Sequence, residues 1–393
     1  MLFGPLDIIF ILLIVFLGHA RINYIFKRRP LKDLVHKKIL TQLFYYKLFF
    51  GLVFMIYVTF NGGDSYGYWV IGMQQVQVID PTWFKYYGVS TTFVLFVVYP
   101  FSKILGLSFF TGSLMFAFIG YLGFTYIYLI LMPYAKYIQV RGIQLFPAIL
   151  FLPNLHFWSS GVGKDSLIFF AIAIFIYSTR NVFKNAPYLL LGFVLAYHIR
   201  PHIGVLLGGS LFASFLTGGG LSYSQKFIGT ALGIGAMIII WPQVAEFLKV
   251  EEFSIQSFQS VADGQIEALG RARTGSAIDL SSYPIPLRIF TFLYRPLFFD
   301  AHNAFALLSS MENFIYLAMT FVLFKVNVVR VFRKAPIYIK TGLFAFAGSA
   351  IAFSNSLSNL GIALRMKNMT MIYLLVFVCF MAAYDNYLKV KRA

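Results

Sequence analysis

Five short polar clusters interrupt an otherwise apolar chain of 393 residues. The first is Asn61-Gly62-Gly63-Asp64-Ser65-Tyr66-Gly67-Tyr68-Trp69. A carboxylate among glycines that permit close backbone approach, followed by rings that can stack on sugars (Tyr66, Trp69), suits a general base taking a proton from a hydroxyl. The same residues also make an Asx-turn with interfacial aromatics. Asp64 could instead hold a divalent cation that bridges phosphates, but no second carboxylate lies close in sequence, so metal use stays open. The second cluster runs from Pro153 through His156 and Trp158 to Gly161-Val162-Gly163-Lys164-Asp165-Ser166. Glycines, serines and a lysine before a helix can present N–H groups and an ammonium to a phosphate. The spacing is not that of a Walker A loop. The ordinary alternative is Asp165 or Ser166 capping the helix while Lys164 snorkels.

The third cluster, His198-Ile199-Arg200-Pro201-His202, places one Arg and two His in a tight turn, where Arg200 offers a bidentate phosphate ligand. A zinc site would need three converging ligands such as His156, His198 and His202. The fourth gathers Arg271, Arg273, Arg288, Arg295, Asp300, His302, Asn303 and Glu312. Arg295 stands where the chain re-enters the membrane, a position suited to a cation facing a pyrophosphate. Glu312 lies about ten residues into an apolar run, so it must pair with a cation or line a cavity. The fifth extends from Ser354 to Lys367 and contains Arg365, suited to a phosphate or a lipid head group.

What must position these clusters follows from composition. Apolar residues make up 59% and charged residues 12%, against roughly a quarter charged in a soluble domain, and aromatics reach 19%. A soluble globular chain is excluded. The expectation is an all-α integral membrane protein, a single polytopic membrane domain over 1–393. Spans of about 20 apolar residues fall near 3–20, 40–60, 110–131, 142–155, 165–180, 187–199, 202–217, 227–246, 302–325, 338–357 and 368–386, about eleven in all. The first lacks a preceding basic residue and runs into Arg21–Arg29, so it reads as a span and not a cleaved signal peptide, with its N-terminus outside.

Carrying that orientation forward puts every basic connection inside and the C-terminus in the cytoplasm, provided that 90–106 is re-entrant or interfacial and broken at Pro100. The net charge of +18 is then a positive-inside signature and not a sign of nucleic acid. Outer cations and acids balance, Lys47 and Glu312 cancel within spans, and two large outer loops remain, 61–109 and 247–301. The single cysteine, Cys379, excludes a disulfide framework.

The Gly-Gly-Asp64-Ser-Tyr-Gly-Tyr pattern, the Phe157–Asp165 turn, Arg200-Pro201-His202 and the late Arg365 together resemble bacterial multi-span surface-polysaccharide proteins. These are glycosyltransferases of the GT-C type and the related O-antigen or exopolysaccharide (Wzy-like) polymerases. In the GT-C class an acidic residue of the first extracytoplasmic loop is the base or metal ligand, and Asp64 is similar in position. An extra span precedes that loop here, a single Asp replaces the paired acidic motif, and the paired arginine-rich loops of the polymerases are not found. The resemblance implies sugar transfer from a polyprenyl-(pyro)phosphate-linked donor at the outer face of the bacterial inner membrane. Asp64 would be catalytic. Lys164, Arg200, Arg295 and Arg365 would bind phosphate, and Tyr66, Trp69, His156, Trp158, His202, His302 and Glu312 would line the substrate. The implied partners are membrane lipid and other envelope polysaccharide proteins. Two other classes fit the same features: a lipid-linked glycan or polysaccharide transporter, and a non-catalytic envelope-assembly scaffold.

Overall fold

The computed structural model describes residues 3–28, 34–74, 82–218, 283–301 and 303–392, with a few isolated positions between 218 and 283. These are almost entirely helical. Six helices are long and apolar enough to cross a bilayer: Pro5–Lys27, His36–Asn61, Phe109–Tyr137, Ala304–Phe324, Ile337–Ser354 and Met371–Lys391. The protein is a membrane-embedded helical chain. The helix Ala304–Thr320 shows why in its own sequence: its buried positions include Ser309, Ser310, Glu312, Asn313 and Tyr316, while Phe305, Leu308, Met311, Phe314 and Ile315 are exposed. An apolar exterior over a polar interior is stable against lipid, not water.

The chain forms two compact units. The first comprises Met1–Leu129, Pro147–Ile174 and Val194–Arg200. It is built on α1 (Pro5–Arg28), α2 (Leu34–Asn61) and α5 (Phe109–Leu131). Asp7 near the start of α1 accepts from Gly4 N and from both the amide and hydroxyl of Ser108, tying α1 to the approach of α5. α2 ends at Asn61, and Gly62 and Gly63, with φ of 74° and 140°, turn the chain into α3 (Asp64–Gln74). Along α5 a β-carbon on Gly112 or Gly123 would strike Trp69 or Phe169, so small residues admit neighbouring rings at close range.

α4 (Thr91–Tyr99) continues through Pro100 into a π-turn, Pro100–Ile104, closed by Leu105 N donating to the Pro100 carbonyl. The expected break at Pro100 is therefore a widened turn: the ring removes one N–H, and the ladder accommodates it by lengthening the hydrogen-bonded loop. Together these 14 residues span about 21 Å at the α-helical rise, short of the hydrocarbon core of about 30 Å.

The span expected at 142–155 is corrected. Arg141 and Gly142, both at positive φ, form the two-residue turn of a small hairpin, Gln139–Val140 with Ile143–Gln144. A 3-10 turn, Ala148–Phe151, and α6 (Pro153–Trp158) follow. Pro147 and Pro153 prevent a continuous helix here. α7 (Lys164–Ser178), α8 (Ala186–Ile199) and α9 (Pro201–Leu216) match three expected spans but are shorter than 18 residues. The span expected at 227–246 lies outside the described residues.

The second unit comprises Ile130–Phe146, Phe175–Phe193 and Pro201–Ala393. Its described helices after α9 are α10 (Ile285–Tyr294), α11 (Ala304–Thr320), α12 (Val328–Lys334), α13 (Ile337–Ser354), α14 (Leu360–Lys367) and α15 (Met371–Arg392). α15 is buried continuously from Met371 to Ala383, as an apolar helix at the centre of a bundle must be. α9 meets α13 through Leu206 against Gly348 and a hydroxyl bond from Thr341 to Ser214 at 3.0 Å.

Candidate functional site

In the first unit three sequence clusters come together around the start of α7. Gly163, at φ 143°, holds a backbone conformation that L side chains rarely adopt and packs closely on Tyr68, a β-carbon there lying 3.1 Å from its Cε2. Tyr68 is buried. It follows Asp64 by four residues, so the two share one face of α3, about 6 Å apart along its axis. The Tyr68–Gly163 contact thus seats the Asp64 helix on the glycine that immediately precedes Lys164. Asp64 itself is exposed.

Lys164 does not reach for solvent as a snorkelling lysine would. Its Nζ donates to Ser90 Oγ at 3.0 Å. Ser90, at φ 63°, occupies the N-cap position of α4, yet its side chain makes no capping bond to that helix. Its amide donates to the His198 carbonyl at 2.6 Å. One residue therefore holds the lysine of α7 and the C-terminal end of α8. His198 is oriented in turn: Nδ1 donates to the Val194 carbonyl at 2.8 Å, which leaves Nε2 to accept from the Tyr87 hydroxyl at 3.0 Å.

Arg200, just beyond α8, completes the group. Its guanidinium bonds Asp165 Oδ1 at 2.8 Å, with side-chain exposures of 10% and 11%. Asp165 is an ion-pair partner and not merely a helix cap. A buried pair survives only where geometry and further hydrogen bonds compensate desolvation.

Other expected residues are placed differently. Trp69 is 1% exposed, with its indole N–H donating to the Leu107 carbonyl at 3.1 Å, so its ring packs the interior of the first unit. Tyr66 keeps an exposed ring beside Phe109. His156 is fully buried, stacked on Phe124 at 4.1 Å and bonded through Nε2 to the Leu150 carbonyl at 2.6 Å. Trp158 is half-buried against Phe54 and Phe157. His156, His198 and His202 do not form a zinc site: His156 faces Phe124, His198 faces Tyr87, and His202 stands edge-on to Phe353 in the second unit. Among the described residues no three His, Cys, Asp or Glu side chains converge on a metal position.

Arg295, Arg365, His202 and Glu312 all belong to the second unit. Arg295 grips Asp300 through two bonds, 3.0 and 2.5 Å. Burial opposes ionisation of Asp300, but the Arg295 bonds and the Leu297 amide outweigh it and hold the carboxyl below its ordinary range. Arg365 on α14 is half-buried. Glu312 accepts from the Tyr316 hydroxyl. His302, Arg271 and Arg273 lie outside the described residues.

Sequence reasoning missed two buried lysines. Lys367, read as an interfacial cation, is 1% exposed and gives its three N–H bonds to the Leu293 carbonyl (3.1 Å), the Arg295 carbonyl (3.1 Å) and Asn313 Oδ1 (2.7 Å). Burial draws its pKa down to about 7, with Glu312 acting in the opposite sense. Glu312 precedes Asn313, whose Oδ1 accepts from Lys367. Lys47, set against Glu312 as a cancelling charge, has other partners: the His156 carbonyl and Ser159 Oγ in the first unit. An ionisable residue inside an apolar run was the available signal.

No protein-family model, curated protein or solved structure matches the chain.

Proposed function

We propose that the protein is a glycosyltransferase or polysaccharide polymerase that moves sugar from a polyprenyl-(pyro)phosphate donor onto a hydroxyl acceptor at the extracytoplasmic face of a bacterial inner membrane. In this reading the N-terminus lies outside, and α1 and α2 return the chain to the outer face at Asp64. The observation that carries it is the seating of α3 by Tyr68 on Gly163, which brings the Asp64 helix beside Lys164 and the Arg200–Asp165 pair.

Asp64 is exposed, as a base that meets an acceptor must be. It takes the hydroxyl proton as the oxygen attacks the anomeric carbon. The bond from that carbon to the phosphate oxygen breaks, and the leaving phosphate keeps the electron pair. Lys164 and Arg200 stabilise that charge, Arg200 being oriented by Asp165. Arg295 belongs to the second unit, where it is paired with Asp300.

A second reading, transport of a lipid-linked glycan, is favoured by one feature, the buried Lys367–Asn313 bond beside Glu312 and Tyr316. Buried ionisable groups in spans commonly mark coupled pathways. The two readings separate in cells carrying Asp64→Asn, with membrane levels of the protein checked. Loss of polymer or lipid-linked product by about 10²-fold or more supports the base assignment; undiminished product removes it.

A further inference from the structure

Lys47 lies in the middle of α2, fully buried, and no described carboxylate pairs with it. Its ammonium donates to the His156 carbonyl at 3.0 Å and to Ser159 Oγ, and rests 5.2 Å from the centre of the Phe124 ring, on which His156 is stacked. A buried cation with only neutral oxygen partners is costly, and a methionine would fill much of the same space without that cost. What the ammonium supplies is a fixed position for what it holds.

That is the start of the turn that ends at Lys164. The His156 carbonyl belongs to the last turn of α6 and also accepts from Ser160 Oγ at 2.6 Å. Ser159 Oγ donates in turn to the Leu155 carbonyl at 2.6 Å. The wall behind is α5. A β-carbon on Gly120 would lie 2.3 Å from the Ser159 carbonyl oxygen and 2.5 Å from Lys47 Cε, so the turn and the lysine are pressed together on glycine. From there the chain passes Gly161 against Phe54 and Gly163 against Tyr68, and Ser166 Oγ closes the turn on the Gly161 carbonyl at 2.6 Å. Every residue between α6 and Lys164 is buried.

We infer that Lys47 is a positioning residue for the proposed site: through the His156 carbonyl and Ser159 it fixes the 159–163 turn, and through that turn the places of Lys164 and of the Asp165–Arg200 pair. This inference rests on the reading under Proposed function for what the turn serves, but not for the clamp itself.

The test uses the full-length protein reconstituted in lipid nanodiscs, as wild type, Lys47→Met and the milder Ser159→Ala, which leaves the bond to the His156 carbonyl. Amide hydrogen exchange is followed in peptides covering 157–166. The expected result is exchange about tenfold faster in that segment for Lys47→Met and less for Ser159→Ala, with α5 peptides unchanged. Unchanged exchange at 157–166 in both variants overturns the inference. In cells, Lys47→Met lowers product in an otherwise wild-type background and lowers it no further in a Lys164→Met background, at equal membrane levels. Full product from Lys47→Met where Asp64→Asn abolishes it also overturns the positioning role. If Asp64→Asn has no effect, the proposed transferase reading falls, while faster exchange still establishes the clamp.

Discussion

Arg200 Nη2 lies 2.8 Å from Asp165 Oδ1, and neither side chain keeps more than about a tenth of its exposure. They come from residues 35 apart, one just past α8 and the other in the first turn of α7. Pairing them brings the end of one short helix to the beginning of another. Neither helix reaches 18 residues, so this junction falls where backbone ends must be satisfied by protein.

Removing one charge is therefore worse than removing both. Arg200→Met leaves a buried carboxylate uncompensated and is expected to lower stability by about 3 kcal/mol. Adding Asp165→Asn restores a good part of that loss, because the orphaned charge is gone. Thermal unfolding of the purified protein in detergent reads both variants, and equal losses in the single and double variants would show that the pair is not coupled to the fold.

Gly163 tests the contact that seats α3. A side chain there meets an unfavourable φ of 143° and the Tyr68 ring together, so Gly163→Ala is expected to cost about 1–3 kcal/mol and to reduce product by displacing Asp64. Gly67, on the same helix with open space around its β-carbon position, is the control. Gly67→Ala gains helix propensity, up to about 1 kcal/mol, and leaves product unchanged. The comparison is made by unfolding temperature and product level at matched membrane amounts.

Lys164 separates charge from shape. If it stabilises a leaving phosphate, Lys164→Met lowers product by about 10²-fold, while Lys164→Arg retains part of the activity because a cation can still reach the Ser90 side of the site. Equal losses in both variants would mean that the bond to Ser90, and not the charge, is what matters.

Much of this arrangement was legible in residue types. Asp64, Lys164 and Arg200 stood out because cations and carboxylates beside apolar runs are costly, and the structure gathers them in one unit. What pattern reading could not supply was pairing. Asp165 looks like a helix cap until Arg200 arrives from another helix, and Lys47 looks like a stray span charge until the His156 carbonyl is placed against it. Nor did residue type show where Trp69 goes: an aromatic beside a carboxylate resembles a sugar platform, while in the fold its ring packs on Gly112 of α5. The 142–155 segment misled for a physical reason too. Its apolar content matches a span, while Arg141-Gly142 and two prolines fix the backbone in turns that hydropathy does not register.

Lys367 gives a pH signature. Its ordinary pKa of 10.5 falls to about 7 in the folded protein, so between those values the unfolded chain holds a proton that the native protein does not. Stability contributed through this residue is therefore lowest below about pH 7 and rises as pH increases toward 10. One pKa unit corresponds to about 1.4 kcal/mol, so the change should be of the order of a few kcal/mol. Losing the proton also leaves two N–H donors for three acceptors, the carbonyls of Leu293 and Arg295 and the Asn313 side chain. The Arg295–Pro296 segment then relies more on the bond from Asn313 Nδ2 to the Pro296 carbonyl at 2.8 Å. Thermal unfolding of wild type and Lys367→Met at pH 6, 7.5 and 9 isolates this residue from other titrating groups. The wild type should gain stability relative to the variant as pH rises, and parallel profiles would show that the ammonium stays charged throughout.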